Sequence, residues 1–234
     1  MNKDKIVSFK EKLKNGYTIG PFSKTSDPAF IEILGHAKFD FVILDLEHGP
    51  NSVETLQNLI RAAQVSDILP IVRVKENNLS IIGEVLDIGA APNGCRGVCR
   101  FVRAANYSMQ DRFEYFKDAD NTIIIFQIEG QQAISQLDEI LRVDGIDLIF
   151  IGPYDLSQSI GMPGQIDHPL VTEKMLEIID LCNKHNVDVG TFVDNMENAK
   201  RWKRAGVKYL SYSVDTGIFY EASRDLANKL KSIR

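Results

Sequence analysis

The feature that most constrains this chain is its alternation. Short apolar runs rich in β-formers take turns with longer segments whose apolar residues recur at helical spacing. Strands are expected at Tyr17 to Phe22, Phe39 to Leu44, Leu69 to Val74, Thr122 to Ile128, Asp147 to Ile151, Val187 to Val193 and Lys208 to Val214. Helices are expected from Lys5 to Asn15, from Asp27-Pro28 past Leu34, and over Ser52 to Gln64, Asn78 to Ile88, Gln131 to Leu141, Val171 to His185, Met196 to Ala205 and Gly217 to Lys231. A short helical turn is expected from Asp155 to Ile160. Strand followed by helix, repeated, predicts a parallel α/β fold with helices covering the sheet. The count is one unit short of a TIM (β/α)8 barrel, which takes about 250 residues. The gap falls at Ala91-Pro92, where a loop-like, basic and aromatic stretch stands in place of a fourth strand and helix. Strand number, tilt and shear are linked in a closed barrel. The expectation is therefore an eight-stranded molecule whose fourth βα unit is absent from this sequence, with a break in the chain between Ala91 and Pro92. With no linker or low-complexity segment, residues 1–234 are expected to form one domain.

Composition removes several classes of function. The net charge is −5, so nothing marks the chain for nucleic acid or an anionic membrane. Apolar runs are short and broken by charges, and the first residues are charged, so neither a spanning segment nor a signal peptide is expected. Three cysteines, Cys95, Cys99 and Cys182, fit free thiols in a reducing cytoplasm. The spacing of Cys95 and Cys99 has no second pair to complete a zinc site.

Chemistry is expected at the C-terminal ends of the strands, where α/β folds build their sites. The stretch FDFVILDLEHGP is the densest: a buried strand ends in Asp45, Glu47 and His48 before Gly49-Pro50. An ordinary turn, with Asp45 as its cap and His48 solvated, is the alternative to a site there. The next strand ends in Arg73, and TIIIFQIE brings Gln127 and Glu129. DLIFIGPYD brings Asp155 after the Gly152-Pro153 turn. Neighbouring parallel strands lie about 4.8 Å apart, so Glu129 and Asp155 can converge. Two such carboxylates repel unless they share a proton or a cation, and a hard divalent ion resolves this. Each also has an ordinary role, Glu129 at a helix start and Asp155 as an N-cap. His48 can take and return a proton near neutrality, and Arg73 can hold an oxyanion. A metal, a base and an oxyanion stabiliser suit proton abstraction next to a carbonyl. Lys75, the lysine weighed for a Schiff base, lies on a polar loop, and no strand is followed by a glycine-rich phosphate loop.

These residues fall in a wider set of motifs: DLEHGP, VRV, LDIGA, RGVCRFVRAANY, FQIE and FIGPYDLSQSIG followed by HP. Together, over nearly the whole chain, they resemble the HpcH/HpaI aldolases, metal-dependent pyruvate aldolases that include 2,4-dihydroxyhept-2-ene-1,7-dioate aldolase. The resemblance implies a TIM barrel and reversible retro-aldol cleavage of a 4-hydroxy-2-oxo acid to pyruvate and an aldehyde. It implies a divalent ion, Mg²⁺, Mn²⁺ or Co²⁺, held by Glu129 and Asp155. It implies catalytic roles for His48, Arg73, Asp45 and Asp87, the last raising the basicity of a neighbouring subunit's His. Substrate contacts are implied for Gln127, Gly152, Pro153, Tyr154 and Asp155, with Tyr154 standing where relatives often have Ala. A homo-oligomer follows too, a hexamer built as a trimer of dimers with exchanged C-terminal helices. The alternatives are a malyl- or citramalyl-CoA-type lyase, which wants a basic surface for the CoA phosphates, and an inactive barrel that binds a keto acid.

Overall fold

The computed structural model describes residues 3–88, 101–109, 111 and 122–233. The step from Ala91 to Pro92, and with it the expected break and the fourth unit, lies outside the described residues, as do Cys95 and Cys99. The described residues group into two compact units. One holds residues 3–9, 20–88, 101–109, 111, 122 and 213–233, and the other holds 10–19 and 123–212. Helix α1 (Lys3–Asn15) contributes to both.

In the first unit β1 (Thr18–Ser23), β2 (Phe41–Asp45) and β3 (Leu69–Arg73) are parallel, with β2 in the middle. Successive side chains on a strand face opposite ways. Val42 and Leu44 therefore join Ile31 and Leu34 of α2 (Pro28–His36) and Leu56, Leu59 and Ile60 of α3 (Val53–Val65) in one apolar core. Phe41, Ile43 and Asp45 point the other way. Both helices start where the sequence signals it. The Asp27 side chain accepts from the Ala29 N–H, with Pro28 at the first helical position, and Ser52 accepts from the Thr55 N–H. Gly20 lets β1 lie close to β2, because a Cβ there would collide with the Phe41 carbonyl oxygen. Helix α4 (Leu79–Asp87) follows β3. The stretch expected to be loop-like contains a 3₁₀ helix, Arg103–Ser108, whose Arg103 donates to the Ile88 carbonyl at 2.9 Å and to the Gln64 side chain.

In the second unit β4 (Ile125–Ile128), β5 (Leu148–Ile151), β6 (Asp188–Val193) and β7 (Tyr209–Val214) are parallel and adjacent in that order. Ile128, Ile149, Ile151, Val189 and Val193 meet Val171, Met175, Ile178 and Ile179 of α8 (Pro169–Lys184) and Trp202 of α9 (Met196–Arg204) in a second core. The helix expected over Gln131 to Leu141 breaks at Gln136 into α5 (Gln131–Ser135) and α6 (Leu137–Ile140). The turn expected from Asp155 begins earlier, as α7 (Pro153–Ser159), with Gly152 at its cap. That makes Asp155 the third residue of the helix rather than its N-cap. The last helix, α10 (Asp215–Lys231), belongs to the first unit and sets Phe219 edge-on to Phe30. The strands of the expected alternation are all present as parallel strands with helices between them, an α/β fold. Among the described residues no helix is long and apolar enough to cross a membrane.

Candidate active site

Register explains the first cluster. Asp45 of β2 stands directly opposite Arg73 of β3, and Ser23 of β1 stands opposite Leu44, which brings Lys24 level with Asp45. The Asp45 carboxylate is fully buried and accepts from both neighbours. Arg73 binds it as a fork, Nε to Oδ1 at 2.8 Å and Nη2 to Oδ2 at 2.5 Å, and Lys24 Nζ donates to the same Oδ2. Arg73 Nη1 also meets Glu47 at 3.0 Å. Both cations lie over the Phe22 ring, Arg73 at 4.8 Å and Lys24 at 5.5 Å from its centroid. Burial alone would raise the pKa of Asp45. The hydrogen bonds and charges of Arg73 and Lys24 outweigh it and hold the carboxyl well below the usual carboxylate range.

Asp45 Oδ1 also accepts from the backbone N–H groups of Glu47 and His48, at 2.9 and 3.3 Å. This is the turn-capping role weighed for it, and it folds the chain back immediately after the strand. His48 sits on that turn with its side chain 62% exposed and Glu47 at 3.9 Å. Asp87 ends α4 in the same unit, half-buried.

Asp45→Asn keeps the shape but leaves two cations facing a neutral group, at an expected cost of about 3 kcal/mol. In the wild type the depressed pKa means that this stabilisation is complete above the unfolded value of about 3.9 and is lost as pH falls below it. Thermal midpoints measured from pH 7 down to pH 2 should therefore show a gap between wild type and variant that narrows below about pH 4. A gap that stays constant would rule out the ion pairs as its cause.

The second cluster lies in the other unit. Gln127 and Glu129 are two residues apart and share a face, so Gln127 Nε2 donates to Glu129 Oε2 at 2.6 Å. The same Oε2 rests against Gly152, the cap of α7, and a Cβ on Gly152 would collide with it. The register Ile128↔Ile151 makes that approach possible, since Glu129 and Gly152 are the residues that follow each strand. Asp155 stands exposed on the first turn of α7, three residues past Gly152. Among the described residues no group of three or more His, Cys, Asp or Glu side chains is placed to hold a metal. Two carboxylates fall below that number, yet they suit a hard ion that keeps several waters. The donor chemistry and the glycine seat beneath Glu129 fit such an ion.

Tyr154 points elsewhere. Its phenol donates to Asp194 Oδ2 at 2.6 Å, and Asp194, just past β6, also accepts from Asn195 at 2.9 Å. The Asp194 carboxylate, and burial after it, push the Tyr154 phenol up to about 12.

Three site-forming residues escaped the sequence reading: Lys24, Asp194 and Asp215. Each follows or ends a strand, so inspecting the ends of β1, β6 and β7 as well would have found them. Asp215 is buried and accepts from Ser23 Oγ at 2.8 Å, Lys24 N at 2.9 Å, and Thr25 N and Oγ1 at 3.1 and 3.0 Å. It anchors the segment that carries Lys24.

The HpcH/HpaI aldolase/citrate lyase family model matches residues 18–222. The 5-keto-4-deoxy-D-glucarate aldolase of Shigella boydii is 32% identical over 237 positions, covering 91% of each chain. Among solved structures, an HpcH/HpaI aldolase/citrate lyase family protein from Burkholderia cenocepacia is 26% identical with a TM-score of 0.89, covering 96% of this chain and 99% of that one. The citrate synthase SbnG is 30% identical with a TM-score of 0.79, covering 95% of this chain and 97% of that one. With a family match over most of its length and relatives of this similarity, the chain belongs to the HpcH/HpaI aldolase/citrate lyase family.

Proposed function

We propose that this chain is a class II, metal-dependent aldolase that reversibly cleaves a 4-hydroxy-2-oxo acid to pyruvate and an aldehyde. The observation that carries this reading is the seat of Glu129 on the Gly152 turn that leads into Asp155. A relative named as an aldolase of a keto-deoxy sugar acid supports it. Glu129 and Asp155 hold the divalent ion, Mg²⁺, Mn²⁺ or Co²⁺. When bound, the ion supplies a Lewis acid that polarises the carbonyl of the oxo acid.

Arg73 holds the keto oxygen as it becomes anionic. Among the described residues three of its five N–H donors serve Asp45 and Glu47, and the other two are the ones proposed to take a substrate oxygen. Asp45 is a positioning residue that fixes the guanidinium plane. His48 takes the proton from the 4-hydroxyl as the C3–C4 bond breaks, the bonding pair passes into the pyruvate enolate, and a proton returns at C3. Gln127 and the backbone of Gly152, Pro153 and Tyr154 bind the oxo acid, and Asp87 tunes a neighbouring subunit's His48.

A TIM barrel lacking its fourth βα unit belongs to the same proposal. The match to the Shigella boydii aldolase runs over 237 positions yet takes in 91% of 234 residues, so roughly two dozen positions of the relative have no counterpart here, about the length of one βα unit. A homo-oligomer is supported by α10, where Phe219, Leu226 and Leu230 recur at helical spacing and are 62%, 58% and 58% exposed.

Exchange of the pyruvate methyl protons for deuterium in D₂O, followed by NMR, tests the reading without knowledge of the aldehyde. Exchange is expected with Mg²⁺ or Mn²⁺, lost on chelation and restored by adding the ion back. No exchange with any of the three ions would leave a barrel that binds keto acids without turning them over. The likeness to a citrate synthase favours a second reading, enolate chemistry on a citrate-type acid. Cleavage of 4-hydroxy-2-oxo acids without coenzyme A separates the two.

A further inference from the structure

Lys24 has no part in the reaction just described, yet the first unit fixes it beside Arg73. β1 ends at Ser23, and the buried Asp215 carboxylate holds the three residues at that end. Asp215 Oδ2 accepts from Ser23 Oγ at 2.8 Å and from Thr25 N and Oγ1 at 3.1 and 3.0 Å, and Oδ1 accepts from Lys24 N at 2.9 Å. Hydrogen bonds to one buried carboxylate thus set the backbone from which the lysine side chain leaves.

That side chain ends on Asp45. Its Nζ donates to Oδ2, the oxygen that also accepts from Arg73 Nη2 at 2.5 Å. The ammonium and Nη2 are therefore no farther apart than two hydrogen bonds laid end to end. Asp45 is closed to solvent, whereas the Lys24 and Arg73 side chains are 23% and 16% exposed. An anion approaching this edge of the cluster meets the two cations and not the carboxylate beneath them. Glu47 stands at the other terminal nitrogen of Arg73, Nη1, at 3.0 Å. One N–H of Nη2 serves Asp45, and its second lies at the end of the guanidinium beside Lys24. An ammonium has three N–H donors, and Asp45 is the acceptor for one of them. An oxygen held by Nη2 can thus accept from Lys24 as well. The buried ring of Phe22 lies against both cations, an apolar floor that strengthens attractions water would screen.

We propose that Lys24 is a further catalytic residue: beside Nη2 of Arg73, its ammonium donates to the keto oxygen of the oxo acid as that oxygen becomes anionic. This rests on the aldolase reading, which puts the keto oxygen at Arg73. Two cations at one oxygen favour the enolate over the neutral oxo acid, because the attraction grows with the charge that develops.

The test measures exchange of the pyruvate methyl protons in D₂O and inhibition by oxalate, a planar dianion that stands in for the enolate, on the full chain with Mn²⁺. Lys24→Met is expected to lower kcat for exchange about 100-fold, the cost of one oxyanion donor, with little change in KM for pyruvate. The Ki for oxalate should rise at least about 10-fold. Repeating Lys24→Met in an Asp45→Asn background separates contact with the substrate from service to Asp45. A further loss of similar size is expected there, and no further loss would make Lys24 a counter-ion of Asp45 alone and overturn the proposal. If Lys24→Met does not fold, Lys24→Gln is read in the same assays, and if Asp45→Asn does not fold, the oxalate Ki of the single variant decides. A wild type that exchanges, with kcat and Ki of the variant within a few-fold of it, overturns the role of Lys24 and leaves the aldolase reading standing. A wild type that does not exchange overturns both.

Discussion

Glu129→Ala and Asp155→Ala are each expected to take metal-dependent turnover below detection while leaving the fold in place. Asp155 is exposed on the first turn of α7, and surface substitutions typically change stability by less than about 0.5 kcal/mol. Glu129 is half-buried, and its loss removes the acceptor of the Gln127 amide, a cost of about 1 kcal/mol. Neither change touches the core that β4 and β5 share with α8. Turnover should therefore vanish with a nearly unchanged thermal midpoint. Isothermal titration with Mn²⁺ gives an independent readout: each variant should lose binding. Near-normal turnover or unaltered Mn²⁺ affinity in either variant removes the metal assignment.

Arg73→Lys is expected to lower kcat by at least about 100-fold, the usual cost of losing one oxyanion donor. The substitution keeps the charge, so a purely electrostatic role would survive it. What it removes is the planar fork. Arg73 meets Asp45 through two nitrogens at once while a third reaches Glu47, and a single ammonium cannot reproduce that geometry. Lys24 already donates to Oδ2 of Asp45, so a lysine at position 73 would compete for the same oxygen. Pyruvate exchange should fall with kcat, because both need the developing oxyanion to be held. A kcat within a few-fold of wild type would count against this role.

The alternation of β-rich apolar runs with helical-period segments determined the parallel α/β fold, because each pattern has only one face or covering that keeps it out of water. The chain itself also specified the caps at Asp27 and Ser52, and it marked Asp45, Arg73, Gln127, Glu129 and Asp155 by setting ionisable groups at the ends of buried runs. Tertiary structure decided what those groups do to one another. Only register places Asp45 opposite Arg73 and brings Lys24 level with it, so a residue thought of as part of a catalytic motif emerges as the buried counter-charge of two cations. Only the approach of β4 to β5 seats Glu129 on Gly152, and only the step from β5 to β6 gives the Tyr154 phenol its carboxylate. Lys24, Asp194 and Asp215 stayed unremarked in the sequence because nothing local distinguishes a charge on a solvated loop from one at a strand end facing a partner. That distinction rests on contacts between residues as far apart as Ser23 and Asp215, which pattern along the chain does not encode.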